Sequence, residues 1–101
     1  MNIPEKIVIS GMEYKVGLSN DVLFCDNLRA YGHIDFDKKE ILIDKTLREN
    51  QGHIQTLIHE ILHGIVYDRE ISFLQDDEET IINQLAKGLY QIIIDNPNMF
   101  K

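Results

Sequence analysis

The apolar residues in the middle of the chain recur with the period of an α-helix. They lie at positions i, i+3, i+4, i+7, i+8 and i+11, and they are Ile54, Leu57, Ile58, Ile61, Leu62 and Ile65. This spacing is typical of a helix that buries one face. Asn50 is a good N-cap for it, and Thr46, which has capping-box spacing to Glu49, is the alternative. The sequence therefore predicts a long amphipathic helix in the second half of the chain.

A second apolar stripe near the C-terminus predicts another helix. Its members are Ile81, Ile82, Leu85, Leu89, Ile92 and Ile93. Acidic residues 76–79 suit the first turn of a helix, and Pro97 requires the helix to end before it. The C-terminal third is thus predicted to be helical.

The first 44 residues show the alternation and turn residues of β-strands. Residues 6–9 and 13–16 flank a Ser10-Gly11 turn, and residues 33–36 and 40–44 flank a polar turn, so two hairpins are predicted. Residues 18–30 fit either a loop or a short helix. Strands followed by helices indicate an α+β fold, with an antiparallel sheet packed on two helices. No linker or repeat interrupts the sequence, so we expect one domain over residues 1–101.

Charge and composition exclude several classes of protein. Seventeen acidic and ten basic residues give a net charge of -7, and the basic residues stand singly apart from Lys38-Lys39. Binding to a phosphate backbone needs a clustered positive surface, so we expect no direct nucleic-acid contact. No apolar run has membrane-spanning length, and no secretory signal opens the chain. Cys25 is the single cysteine and cannot form an internal disulfide, which favours a cytoplasmic protein.

The central helix carries the pentapeptide His59-Glu60-Ile61-Leu62-His63. Its two histidines lie about 40° apart around the helix axis and about 6 Å apart along it, so both can reach one metal ion at about 2.0–2.1 Å. Both point away from the apolar stripe. Glu60 is turned about 100° from its neighbour, the position of a general base beside a zinc-activated water. The alternative is a solvated helix face with two surface histidines and a glutamate.

A catalytic zinc takes three protein ligands and keeps one position for water. No histidine follows His63, and Glu70 lies about 10 Å along the same helix, too far to share the ion. The third ligand should therefore come from the second helix, with Glu79 as the prediction and Glu78 as the alternative. A competing interpretation is a capping box in which Glu79 bonds the backbone of Asp76.

These segments resemble the ImmA/IrrE-like metallopeptidases, glutamate-type zincins that are common in phages and mobile elements. The resemblance covers about residues 31–95 and rests on residues 41–44, on residues 56–63 and on the pattern Glu79-x-x-x-Asn83-x-x-Ala86. It implies a minimal zincin-like fold, zinc bound by His59, His63 and Glu79, and Glu60 as the base. It also implies that residues 40–44 form an edge strand along which an extended substrate pairs by β-augmentation.

The resemblance sets the functional expectation. Better-known members cut a repressor protein, so we expect a zinc-dependent endopeptidase that acts on a protein or peptide, with a repressor as one candidate substrate. Two alternatives remain: a non-catalytic zinc-binding regulatory or structural module of metallopeptidase fold, and a metal-free helical interaction domain. The oligomeric state is left open.

A zincin also needs a hydrogen-bond donor for the oxyanion of the tetrahedral intermediate. Tyr67 lies one turn after His63 on the same face and is the candidate. Tyr31, His33 and His53 are further candidates. The competing expectations are a packed tyrosine ring near the helix end, an exposed His33 on the polar side of a strand and a first-turn surface position for His53.

Overall fold

The computed structural model describes residues 3–21, 23–25, 28–46, 50–74 and 77–100. Six strands precede two helices. The elements are β1 Lys6–Ile9, β2 Met12–Ser19, β3 Leu23–Cys25, β4 Leu28–Ala30, β5 Gly32–Asp35, β6 Glu40–Asp44, α1 Asn50–Asp68 and α2 Glu78–Asp95, followed by a 3-10 turn at Pro97–Phe100. This order confirms the α+β class and both predicted helices.

Four strands form one mixed sheet in the order β1-β2-β6-β5. Strands β1 and β2 form the first predicted hairpin, whose turn residues Ser10 and Gly11 both have positive φ. Strands β5 and β6 form the second. However, β2 and β6 pair in parallel, with Val16 opposite Ile41. The expectation of a purely antiparallel sheet is therefore wrong. The chain leaves this sheet after β2 and re-enters it at β5, and β6 then runs in the same direction as β2.

Strand β6 lies inside the sheet, and β1 and β5 are its outer strands. The expectation that residues 40–44 form an edge strand is therefore wrong. Ile41, Ile43 and Asp44 are fully buried, as is usual for a strand that pairs on both sides and reads as a nearly continuous apolar run. Both outer strands contact α1, and β5 does so more extensively than β1.

The ambiguous stretch of residues 18–30 contains strand structure. Strand β2 continues to Ser19, and β3 and β4 form a small antiparallel sheet of their own, with Leu23 opposite Ala30. The expectation of a loop or short helix is thus wrong for the strands that are described here, while residues 22, 26 and 27 lie outside the described part.

Helix α1 lies between the sheet and α2. One side of it contributes Leu57 to a core whose other buried members are Ile9, Tyr14, Ile34, Ile41 and Ile43. Its other side packs Ile54 and Ile58 against Ala86. A β-carbon added to Gly64 would lie 2.9 Å from Ile9 Cδ1, so this glycine permits the close approach of helix and sheet.

Helix α2 buries only part of the predicted stripe. Ile82 and Ala86 are buried, whereas Leu85, Leu89 and Ile92 are exposed. The helix carries two apolar stripes, and only one of them faces α1. Among the described residues, no helix combines the length and the apolar character needed to cross a membrane.

The predicted capping boxes depend partly on residues outside the described part of the chain. Asp77 caps α2, since its carboxylate accepts a hydrogen bond from the Glu79 backbone N–H at 3.0 Å. The proposed partner Asp76 and the proposed capping residue Glu49 lie outside the described residues. Thr46 instead donates its backbone N–H and its hydroxyl to the Asp44 carboxylate, at 2.8 and 2.6 Å.

Candidate metal centre

A cleft of about 780 Å³ lies between β5, the middle of α1 and the start of α2. Helix α1 contributes the two histidines of the pentapeptide, and the first turn of α2 contributes two glutamates. Strand β5 forms the opposite wall. The predicted site residues therefore meet where three elements converge.

Three side chains bring their ligand atoms to one point. Nε2 of His59 lies 2.8 Å from Oε1 of Glu79, and Nε2 of His63 lies 2.8 Å from Oε2 of the same carboxylate. The two imidazole Nε2 atoms are 3.1 Å apart. The structure thus places Glu79 opposite both histidines, 16 residues after His63. Asp76, its partner in the competing capping-box interpretation, lies outside the described residues.

These separations fit a small divalent cation. Ligand atoms at about 2.0–2.1 Å from a tetrahedral zinc lie about 3.3–3.4 Å from each other, so small side-chain movements would bring His59, His63 and Glu79 to that geometry. Two imidazoles and a carboxylate are also the donor set of a catalytic zinc site with an open fourth position. Other divalent ions accept the same donors.

Glu78 contacts the opposite edge of the His63 ring. Its Oε2 lies 2.8 Å from His63 Nδ1, while Nε2 of the same ring faces Glu79. Nδ1–H donates to the carboxylate in the tautomer that leaves the Nε2 lone pair available for a metal. In this arrangement Glu78 orients a ligand, and Glu79 is the carboxylate that shares the central point.

The start of α2 fixes both glutamates. Asp77 accepts hydrogen bonds from the Glu79 backbone N–H at 3.0 Å and from the Thr80 hydroxyl at 2.8 Å. The Thr80 hydroxyl is also the main reason that the pKa of Asp77 lies below its usual value. A capped first turn holds successive side chains in defined directions, so Glu78 and Glu79 approach His63 from two sides.

Glu60 is buried in the wall of the cleft. Only 6% of the residue is exposed, and burial raises the pKa of its carboxyl from 4.5 to about 7, with His63 lowering this pKa and Glu79 raising it further. A carboxyl group that titrates near neutral pH can take up and release a proton under ordinary conditions. This is the property that a general base requires.

Gly32 allows β5 to lie against Glu60. A β-carbon added to Gly32 would lie 2.5 Å from Thr56 Cγ2 and 3.0 Å from Glu60 Oε2. Any larger residue would push the strand away from the helix. Sequence reasoning missed this glycine, because nothing local to it shows that a helix passes so close.

Burial also affects His59. It lowers the pKa of the imidazole, an effect that Glu79 opposes and His63 reinforces. A neutral imidazole has the free lone pair that a metal ion needs. The environment of His59 therefore favours its ligand form.

The candidate oxyanion donors lie at different places. Tyr67, Tyr31 and His33 line the cleft, and all three are exposed. The Tyr67 ring stacks on Phe36. His53 is partly buried rather than on the surface as expected, and its Nε2 is buried without a hydrogen-bond partner among the described residues. The role of Tyr67 as a donor stays a prediction.

Asp44 is a second feature that sequence reasoning missed. Its carboxylate is fully buried at the end of β6, and its backbone N–H donates to the Tyr31 carbonyl at 2.9 Å. The signal was present in the sequence as a carboxylate that ends an apolar strand. The backbone hydrogen bond links the end of β6 to the residue that precedes β5.

Comparison of the chain with protein-family models, with curated proteins and with solved structures finds no match. The functional conclusion therefore rests on the geometry of this site.

Proposed function

We propose that this protein is a zinc-dependent endopeptidase with a minimal zincin-like fold, which hydrolyses a peptide bond in a protein substrate. The observation that carries the proposal is the meeting of His59, His63 and Glu79 within 4.8 Å, in the same cleft as the buried carboxyl of Glu60. The two histidines come from one helix and Glu79 comes from the next.

The residues divide the chemistry between them. When bound, zinc polarises the substrate carbonyl and acidifies the attacking water. Glu60 takes the proton from that water and returns it to the departing amine, a role that suits a carboxyl with a pKa of about 7. Glu78 keeps the His63 ring in the orientation that points Nε2 into the site.

Strand β5 is the surface along which we expect an extended substrate to pair. The Tyr31 carbonyl accepts a hydrogen bond from Asp44 in β6, so by antiparallel alternation the backbone groups of Gly32 and Ile34 point away from β6. In the described part of the chain, no strand pairs with that outer edge of β5. A substrate strand could use these groups by β-augmentation.

Metal analysis tests the first half of the proposal. Protein purified without chelator and then dialysed should hold one zinc per chain, and His59→Ala should hold far less. Glu60→Gln should retain the metal, because this carboxyl is not among the three converging ligands. Loss of zinc from Glu60→Gln but not from His59→Ala would contradict the assignment of ligands.

Cleavage tests the second half. Zinc-loaded wild type is incubated with a mixture of proteome-derived peptides and with candidate bacterial or phage repressor proteins, and products are read by mass spectrometry. We expect new termini with wild type and none with Glu60→Gln. Stoichiometric zinc with no cleavage by wild type would instead favour the non-catalytic zinc module. Absence of zinc, with a melting temperature that chelator does not change, would favour the metal-free interaction domain.

A further inference from the structure

Two aromatic rings stack at one end of the cleft. The ring centroids of Phe36 and Tyr67 are 3.9 Å apart, and the ring planes differ by 6°. Phe36 directly follows β5, and Tyr67 lies in the last turn of α1. Both side chains line the cleft. We call this pair the aromatic platform.

The platform lies in line with the metal centre because β5 and α1 run side by side in the same direction. Gly32 faces Thr56 and Glu60, Ile34 faces Gly64, and then Phe36 faces Tyr67. Four residues of extended chain span about 13 Å and seven residues of helix rise about 10 Å, so the platform lies about 10–13 Å from the level of Gly32 and Glu60. A substrate that follows β5 must therefore pass over it.

The turn that carries Phe36 is held in place by its own polar contacts. The Asp35 carboxylate accepts the backbone N–H groups of Asp37 and Lys38 at 3.0 and 2.9 Å. The Lys39 ammonium donates to the Phe36 carbonyl at 2.7 Å. The platform therefore belongs to a preorganised surface rather than to a loose loop, which reduces the cost of ordering it on binding.

The platform offers an apolar surface in a cleft whose other end is acidic. Tyr67 remains 57% exposed although it stacks on Phe36, and Val66 lines the cleft next to it. The carboxylates of Glu78 and Glu79 lie at the metal centre instead. Flat aromatic surfaces of this kind favour aromatic and aliphatic side chains over charged acidic ones.

We infer that the aromatic platform is a substrate subsite that selects an aromatic or large aliphatic side chain, two to four residues on the N-terminal side of the bond that is cut. The inference rests on the proposed peptidase function. We assume antiparallel pairing of the substrate with β5, the commoner arrangement. Because β5 runs from Gly32 towards Phe36, the N-terminal part of such a substrate lies at the Phe36 end.

A binding experiment tests the inference without turnover. The probes are N-acetylated pentapeptide hydroxamates, whose C-terminal hydroxamate binds zinc, with phenylalanine or alanine at two, three or four residues from the hydroxamate. For at least one position, zinc-loaded wild type should bind the phenylalanine probe about three- to tenfold more tightly than its alanine counterpart, the worth of one aromatic contact. Tyr67→Ala should remove this ratio, and Tyr67→Phe, which keeps the ring, should retain it.

The possible outcomes distinguish a failure of the subsite inference from a failure of the proposed peptidase function. Equal binding of all probes by wild type, or a ratio that survives in Tyr67→Ala, would overturn the inference. A ratio that requires the Tyr67 ring, in a protein that cuts no peptide, would support the subsite and refute the peptidase. If cleavage occurs, apolar residues should be enriched at the stated positions, and enrichment only on the C-terminal side would overturn the inference.

Discussion

Replacing Glu60 with glutamine should stabilise the metal-free protein at alkaline pH. The carboxyl group is buried beside β5, and burial raises its pKa from 4.5 to about 7. The folded state therefore binds more protons than the unfolded state between these two values. The stability that this group contributes is fully present below about pH 4.5 and is lost as the pH rises through about 7. Glutamine has nearly the same shape and no charge to bury.

The size of the effect follows from the shift. At about 1.36 kcal/mol per pKa unit, a rise from 4.5 to about 7 corresponds to about 3 kcal/mol of unfolding free energy at pH 8. At pH 5 most of this difference is absent, because this pH lies close to the unfolded-state pKa of 4.5 and keeping Glu60 protonated in the folded state costs little free energy there. The stabilisation by Glu60→Gln should therefore grow by about 2–3 kcal/mol between pH 5 and pH 8.

Urea unfolding in excess chelator measures this difference. Wild type and Glu60→Gln are compared at both pH values, and Glu13→Gln, which removes an exposed carboxylate on β2, controls for the loss of one negative charge. If the unfolding free energies of wild type and Glu60→Gln differ by the same amount at pH 5 and at pH 8, this result would falsify the assignment of a buried carboxyl with a raised pKa. Added zinc should reduce the pH-dependent difference, since a nearby cation favours the ionised form.

Three further results are expected. Glu78→Ala should weaken zinc binding about 10- to 100-fold in competition with a chromogenic chelator, because His63 loses its orienting carboxylate. Glu78→Gln keeps a hydrogen-bond acceptor and should lose less zinc affinity, and Asp95→Asn at the far end of α2 should lose none. Gly32→Ala should lower the unfolding free energy by about 1–3 kcal/mol through overpacking. Gly88→Ala, whose added β-carbon meets nothing within 4 Å, should raise it by up to about 1 kcal/mol. Equal effects of the two substitutions would contradict the close approach of β5 to α1 at Gly32. Zinc at about 100 times its dissociation constant should raise the unfolding free energy by about 2.7 kcal/mol, and chelator should reverse the gain.

Local periodicity made much of the site predictable. Two histidines four residues apart lie on one face of any α-helix, because the i→i−4 hydrogen bonds set the rotation per residue. The structure accordingly places His59 and His63 side by side, with Nε2 atoms 3.1 Å apart. The approach of Glu79 depends on how α2 packs on α1, which local periodicity does not determine. Its distance of 2.8 Å from each histidine comes from the contact between two helices.

The order and direction of the strands in the sheet could not be predicted from local periodicity. The sequence of an apolar strand such as β6 is compatible with a central position in a sheet and with a buried edge position. Its parallel pairing with β2 forms only when the chain between the two strands brings them together. Helix α2 posed a similar problem. It carries two apolar stripes, and the choice of Ile82 and Ala86 over Leu85 and Leu89 for the contact with α1 is made by packing.

The sequence alone determined the two hairpins, the two helices, their order and the helix face that carries the two histidines, because these follow from the repeat of the backbone along a few consecutive residues. Tertiary structure alone decided which strand lies beside the cleft, how deeply Glu60 is buried, and that Glu78 and Glu79 approach opposite edges of one imidazole. It also brought Phe36 against Tyr67 across 31 residues of chain. These features depend on contacts between segments distant in sequence, which form only where burial of the shared core outweighs the entropy of closing the chain between them.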